Sequence, residues 1–309
     1  MKITIIGAAG TLGSCAAFNL IVHKLADESL MIDPWVDVLT GHSLDLSYVG
    51  SPLDIKVTKG SYEDMSGTDI VIITASAPSG AIKSRSELLP ANIAVIKENA
   101  EQINRYCPEA FVIMETNPVD PLNYAMYLMS RHRDRRRYLG YCMNDALRFR
   151  LWSAQALKVP ASQVEGMVLG EHGSNQVMLF SSLKVKGKPV SVSEEMKTWV
   201  RAQPQIMLDI FENLKPKRTA GWISASGTVT LVNAIVNNTR EVLPCNAVLQ
   251  GEYGCQKMAM SVPAIIGKNG IEEIQILPLA ENEKVGLTNS INYLTPFMRQ
   301  VEHKLGIKI

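Results

Sequence analysis

The sequence lacks a membrane-length apolar run. No stretch reaches the ~18 consecutive apolar residues that a spanning helix requires. Its first apolar stretch, ITIIGAAGTLG, has no charged region before it and no longer apolar segment within it, so it reads as structure rather than a targeting peptide. Cysteine is sparse. Cys15, Cys107, Cys142, Cys245 and Cys255 are scattered, with no CxxC pair, and an odd set of this kind fits reduced thiols in a cytoplasmic protein and offers no thiolate metal site. An excess of one charge is also missing. Thirty-one basic and thirty acidic residues leave a formal charge of +1, so bulk electrostatics point to neither nucleic acid nor a membrane surface. The one basic run, RHRDRRRY at 131–138, has no interleaved aromatics and reads as a solvated loop joining a helix to a strand. Internal repeats and low-complexity linkers are absent.

What remains is a chain of 309 residues, long enough for two domains with substantial cores. Through about residue 140, short apolar runs alternate with helical patterns. KITIIGA, LMID, KVTKG, DIVIITAS and AFVIMETNP read as strands, with helices at 11–23, 86–106 and 121–130. Continuous apolar strands separated by helices imply right-handed crossovers and a doubly wound parallel sheet covered on both faces. The order then changes. A helix at 144–157, strands at VEGMVLG and QVMLFSSLKVKGKPV with a hairpin at Lys186-Gly187, helices near 193–214 and 222–239, a β region over 243–277 and a helix at 280–305 predict an α+β second domain. The expected division is 1–142 and 143–309, with a tight boundary near Leu139–Met143.

Between the first strand and first helix lies GAAGTLG, residues Gly7, Ala8, Ala9, Gly10, Thr11, Leu12 and Gly13. The first glycine permits the turn, the middle one lets the backbone approach a pyrophosphate, and the third lets helix and strand pack closely. The helix N-terminus adds N–H donors for phosphate. Asp33 ends the second strand, twenty residues beyond Gly13, where a carboxylate accepts from a ribose diol and repels a 2′-phosphate. Its plainer reading is a helix cap before Pro34. The combination predicts dinucleotide binding and favours NAD over NADP.

Three further stretches carry polar chemistry. NDALRFR places Asp145 and Arg148 at i and i+3, on one helix face. They form either a surface ion pair or two arms of one site, with Arg148 gripping a carboxylate by its planar fork and Asp145 holding an imidazole. LGEHGS supplies that imidazole at His172, between Gly170 and Gly173, which are expected to leave it accessible. APSGAIKSRSELL follows the fourth strand as a candidate closing loop from which Arg85 could polarise a carbonyl. Asn117, in TNPVD, is either a turn residue before Pro118 or an amide that bonds substrate or nicotinamide.

Taken in order, GAAGTLG, Asp33, SRSELL, TNPVD, NDALRFR and GEHG resemble the lactate/malate dehydrogenase family, and the likeness runs from end to end. The resemblance implies that His172 and Asp145 move the proton, Arg148 anchors the carboxylate, Arg85 polarises the carbonyl, and hydride passes between C2 and the nicotinamide. It also implies an NAD contact at Asn92 and a homodimer or homotetramer. At the specificity position, six residues before the loop arginine, malate members carry a second arginine and lactate members typically glutamine. Here it is Ser79, and Lys83 or Arg218 are the cations that could compensate. The GxxGxxG spacing resembles the malate branch. Malate oxidation to oxaloacetate is therefore expected, with lactate or another 2-hydroxy monoacid as the alternative. A dinucleotide-holding protein without redox chemistry is the reading from a different class. It would have no need of a proton donor, its orienting aspartate and two arginines.

Overall fold

The computed structural model describes residues 1–78, 85–214 and 221–307. Strand β1 (Lys2–Ile6) leads through the glycine loop into α1 (Thr11–Val22), β2 (Glu28–Ile32), α2 (Val36–Gly50), β3 (Lys56–Lys59) and β4 (Ile70–Ile73). Then come α3 (Leu89–Tyr106), β5 (Phe111–Met114), α4 (Val119–Met129), β6 (Tyr138–Gly140) and α5 (Met143–Leu157). The second half runs β7 (Val164–Gly170), β8 (Gln176–Val185), β9 (Lys188–Pro189), α6 (Glu194–Asn213) and α7 (Trp222–Val236). It closes with β10 (Glu241–Gln250), β11 (Gln256–Gly267), β12 (Gly270–Ile274) and α8 (Glu281–Lys304).

The first six strands pair in parallel in the order β3-β2-β1-β4-β5-β6. Ile3, Ile5, Ile70, Val71, Ile72 and Ile73 are fully buried, as strands covered on both faces must be. Each contributes about 1.5–3 kcal/mol by leaving water. The strand order reverses between β1 and β4, and ligands of such sheets bind outside the strands' carboxyl ends at that point. The two loops touch there. A Cβ on Gly7, whose φ is +93°, would sit 2.5 Å from the Ala75 nitrogen.

The expected Rossmann-type half followed by an α+β half is therefore what the chain builds, but the two share one sheet. Among the described residues twelve strands form a single hydrogen-bonded sheet, crossing from the parallel half at β6–β10. That crossing rests on one residue pair, Gly140 with Asn246. A side chain at Gly140 would collide with Asn246, so glycine is what allows the strands to meet.

Two features depart from the sequence reading. Helix α2 was not marked by any clear pattern: it has no capping side chain, and Val36, Val38, Leu44 and Tyr48 are exposed on it. The basic run is not simply a solvated loop. Arg135 is half-buried and grips Glu252 with both terminal nitrogens, at 3.0 and 2.7 Å, while also donating to the Val248 carbonyl. It pins the turn before β6 to the end of β10. Arg131, His132 and Arg133 stay exposed.

Candidate active site

The glycine loop is self-organised. The N–H groups of Gly7 and Ala8 both donate to the Ile32 carbonyl, and Gly10 donates to the Gly7 carbonyl. Ala9 donates to Asp33 Oδ2 at 3.0 Å. Its polar backbone is thus largely engaged in holding its own shape. Gly10 caps α1 without a side-chain bond, and the first helical turn carries no acidic residue. The donors offered to a phosphate are accordingly those of Thr11, Leu12 and Gly13, at the positive end of the helix dipole. A Cβ at Gly13 would strike the Gly7 carbonyl, whereas one at Gly10 would come no nearer than 3.3 Å to that oxygen. The third glycine serves helix–strand packing, and Gly10 leaves the approach open. Asp33 does not cap α2. Its carboxylate accepts from Ala9 and, at 2.9 Å, from Trp35 N–H, so it stands fixed beside the loop at the end of β2. These features fit a dinucleotide.

Asn92, on α3, is fully buried. Its Oδ1 accepts from Ala77 N–H and its Nδ2 donates to the Asn117 carbonyl, both at 2.7 Å. Its amide braces the loops after β4 and β5 against each other. Asn117, behind a cis bond to Pro118, keeps its Oδ1 shielded from solvent and without a hydrogen-bond partner among the described residues. An amide so placed awaits a donor.

His172 meets Asp145 as expected. His172 Nδ1 and Asp145 Oδ2 are 2.6 Å apart, with side-chain exposures of 6% and 5%. Asp145 lies in the first turn of α5, where a negative charge is favoured by the helix dipole. Held against an ionised carboxylate in this way, the imidazole carries a proton on Nδ1. Arg148 follows one turn later on α5 and is half-buried.

The flanking glycines do not expose His172, which is a buried residue. They let the chain fold tightly around it. Gly170 has a φ of +86°, and a Cβ there would collide with Ser290 of α8. Ser290 Oγ accepts from Glu171 N–H at 2.7 Å. Glu171 folds back to accept from the Asn175 backbone and amide, and its carboxylate fills the space a side chain on Gly173 would need.

Several polar residues in the site carried little sequence signal. Asp120 Oδ2 accepts from His172 N–H at 3.0 Å, and its Oδ1 accepts from Asn246 Nδ2 at 2.6 Å. Asn246 in turn accepts from Asn123 Nδ2 at 2.9 Å. The residue pair joining the two halves of the sheet is therefore wired to the backbone of His172. Burial pushes the Asp120 carboxyl up to about 7, against the pull of His172 and the Asn246 amide. Asp120 stands in the same TNPVD stretch that drew attention to Asn117. Asn246 has no local signal at all.

Glu115 precedes Asn117 by two residues at the end of β5 and is fully enclosed, which raises its carboxyl to about 8. Its Oε1 contacts Thr228 Oγ1 of α7. Beside it, Tyr141 hydroxyl donates to Asn144 Oδ1 at 2.7 Å, and Asn144 Nδ2 donates to Ser224 Oγ at 2.9 Å. Ser79, Lys83 and Arg218 lie outside the described residues, as does the side chain of Arg85, whose backbone opens a 3-10 turn over Arg85–Leu88.

A glycine loop at a sheet's switch point, an acidic residue at the end of β2 and a buried imidazole–carboxylate pair define a dinucleotide-dependent oxidoreductase. Family models agree. That for the lactate/malate dehydrogenase NAD binding domain matches residues 1–139, and that for the alpha/beta C-terminal domain matches 144–305. The chain belongs to the lactate/malate dehydrogenase family, and it is an NAD-dependent enzyme interconverting 2-hydroxy and 2-oxo acids. It is 34% identical over 278 residues to malate dehydrogenase of Haloferax volcanii, covering 88% of this chain and 90% of that one. Malate dehydrogenase of Cryptosporidium parvum superposes with a TM-score of 0.90 at 30% identity, covering 98% and 99% of the two chains. Lactate dehydrogenase from the same organism, solved with lactic acid and nicotinamide adenine dinucleotide, also gives 0.90, at 32% identity over 97% and 98%.

Proposed function

We propose that the substrate pair is (S)-malate and oxaloacetate. The observation that carries the catalytic reading is the buried His172–Asp145 contact of 2.6 Å. The malate assignment is supported by the spacing of Gly7, Gly10 and Gly13 and by the likeness to malate dehydrogenases above. The lactate reading is kept alive by Ser79, which cannot pair with a distal carboxylate as arginine does. Steady-state comparison of oxaloacetate with pyruvate, each with NADH, separates the two: a higher kcat/KM for pyruvate overturns the malate assignment.

In the oxidising direction His172 Nε2 accepts the hydroxyl proton, and Asp145 stabilises the resulting imidazolium. Arg148 clamps the C1 carboxylate, Arg85 stabilises the developing carbonyl charge when its loop closes, and Asn117 orients the oxygen or the cofactor amide. Bound NAD supplies the hydride acceptor. Residues 7–13 and Asp33 would hold its pyrophosphate and ribose, and Asn92 braces the loops around it. Lys83 or Arg218 would meet the distal end of a dicarboxylate. Residues 1–142 are read as the cofactor-binding unit and 143–309 as the substrate-binding unit.

Homo-oligomerisation is part of the same proposal. Phe18, Leu44, Tyr48 and Trp222 are 46%, 54%, 70% and 73% exposed, and a groove of about 470 Å³ lies between α1, α2 and the start of α7. Sedimentation velocity should give a particle at least twice the 34.0 kDa chain mass, reduced by Tyr48→Glu. No helix of the described residues is long and apolar enough to cross a membrane. The free cysteines are consistent with a cytoplasmic enzyme.

A further inference from the structure

Two buried carboxylates hold His172, and the mechanism above uses only one. Asp145 Oδ2 meets the ring at 2.6 Å, while Asp120 Oδ2 accepts from the backbone N–H at 3.0 Å. The two acids are 4% and 2% exposed. Each sits in the first turn of a helix, Asp145 on α5 and Asp120 on α4, where the dipole favours negative charge.

The hydrogen bonds around Asp120 decide its charge. Asn123 Nδ2 lies 3.3 Å from the Tyr138 carbonyl, 3.2 Å from the Asn246 carbonyl and 2.9 Å from Asn246 Oδ1. Backbone carbonyls can only accept, so the Asn123 amide must present its NH₂ there. Asn246 then accepts with Oδ1 and turns its own NH₂ to Asp120 Oδ1, at 2.6 Å. Asp120 therefore meets an N–H donor at each oxygen and, among the described residues, no acceptor for a proton of its own. The ionised form is the one this setting satisfies. Burial opposes the charge, and a positive His172 supports it. Such support is mutual, because a cation that favours a carboxylate is favoured by it to the same extent. Other ionisable groups about the pair are turned away or neutral. The Glu171 carboxylate is spent on the Asn175 N–H and amide, and burial keeps the Cys142 and Cys245 thiols uncharged. Arg148 stands one turn beyond Asp145 on α5.

We propose that Asp120 is a positioning residue for proton transfer, a second carboxylate that stabilises the His172 imidazolium from the backbone side while Asp145 does so from the ring. The proposal rests on the reading that His172 exchanges the substrate proton. Reduction of the 2-oxo acid needs the imidazolium, so its kcat/KM falls as pH rises. Oxidation of the 2-hydroxy acid needs the neutral ring, so its kcat/KM rises. Without the Asp120 charge the imidazolium is less favoured, and both limbs move to lower pH.

The test measures kcat/KM against pH in both directions, with NADH or NAD saturating and with whichever of the oxaloacetate–malate and pyruvate–lactate pairs turns over. Asp120→Asn should move both limbs down by about one pH unit, a tenfold loss of proton affinity. It also sets one NH₂ against that of Asn246, so Tm should fall. Asp120→Asn paired with Asn246→Asp moves the charge and keeps the hydrogen bonds. Residue 120 still accepts from His172 and now donates to residue 246, which still accepts from Asn123. This pair should recover Tm and yet keep both limbs about half a unit below wild type, because the charge stands one residue farther from the imidazole. If Asp120→Asn alone does not fold, the paired variant carries the test. Limbs that stay in place or move up in the paired variant reduce Asp120 to a backbone strut and overturn the proposal, whatever happens to the plateau rates. Wild-type profiles without opposed limbs, or turnover retained in His172→Ala, sink the proton-transfer reading beneath it instead.

Discussion

His172 is held at three points, and each does a different job. Asp145 sets the tautomer, Asp120 fixes the backbone, and Ser290 fixes the neighbouring Glu171 N–H. Removing the charge while keeping the shape should separate chemistry from binding. Asp145→Asn leaves a hydrogen-bonding group on Nδ1 but permits the wrong tautomer and loses stabilisation of the imidazolium. We expect kcat to fall about 10³–10⁴-fold, with NADH affinity from fluorescence titration unchanged within about twofold. An equal fall in affinity would place Asp145 in the cofactor site instead. Arg148→Lys should act differently. It keeps the charge and loses the fork, so KM for the 2-oxo acid should rise with little change in NADH binding. An unchanged KM would remove Arg148 from the anchor role.

At the scale of elements, α7 is closely fitted on three sides. It lies against Leu12 of the glycine loop at Gly221, against the Glu115 carboxyl at Thr228 and against the Tyr141 hydroxyl at Gly227. A Cβ at Gly227 would run into that hydroxyl, so Gly227→Ala should destabilise the protein by about 1–3 kcal/mol through overpacking. Combining it with Tyr141→Phe should recover part of the loss, measured as Tm by calorimetry. Two full losses that simply add would show that the two groups do not meet. Helix α5 carries comparable weight at its start, where Asn144 reaches α7 and Asp145 reaches His172 from adjacent positions. The separation of Asp145 and His172 along the chain conceals this convergence. Its cause is that β7 and α5 pack side by side, bringing residue 172 back over residue 145.

For the whole molecule, the pH dependence of stability should carry the signature of the enclosed acids. Burial raises Asp120 from 3.8 to about 7 and Glu115 from 4.5 to about 8. Between those limits the folded chain binds more protons than the unfolded chain. Stability is therefore fully present below the unfolded values and is lost as pH rises through the folded ones, by up to ~1.4 kcal/mol per pH unit for each group. Glu115→Gln removes one of the two, so its unfolding free energy should fall less steeply than wild type between about pH 5 and 8. Matching slopes in denaturant titrations would mean that Glu115 does not titrate there.

Local pattern settled a good deal of this protein. Apolar strand runs alternating with helices, glycines at fixed offsets and a carboxylate at the end of the second strand are properties of neighbouring residues, and they were legible because strand burial and close backbone packing impose them residue by residue. The parallel half and the strand–turn–helix around Gly7, Gly10 and Gly13 followed from them, and the His172–Asp145 pairing from the family likeness. Tertiary structure alone decided that both halves share one sheet through Gly140 and Asn246, that Asp120 and Asn123 tie that seam to His172, that Arg135 is a clamp and that Glu115 is sealed beneath α7. Each of those depends on partners roughly 50 to 130 residues apart in sequence, and whether a polar side chain meets a buried partner or water leaves no trace in its own neighbours along the chain.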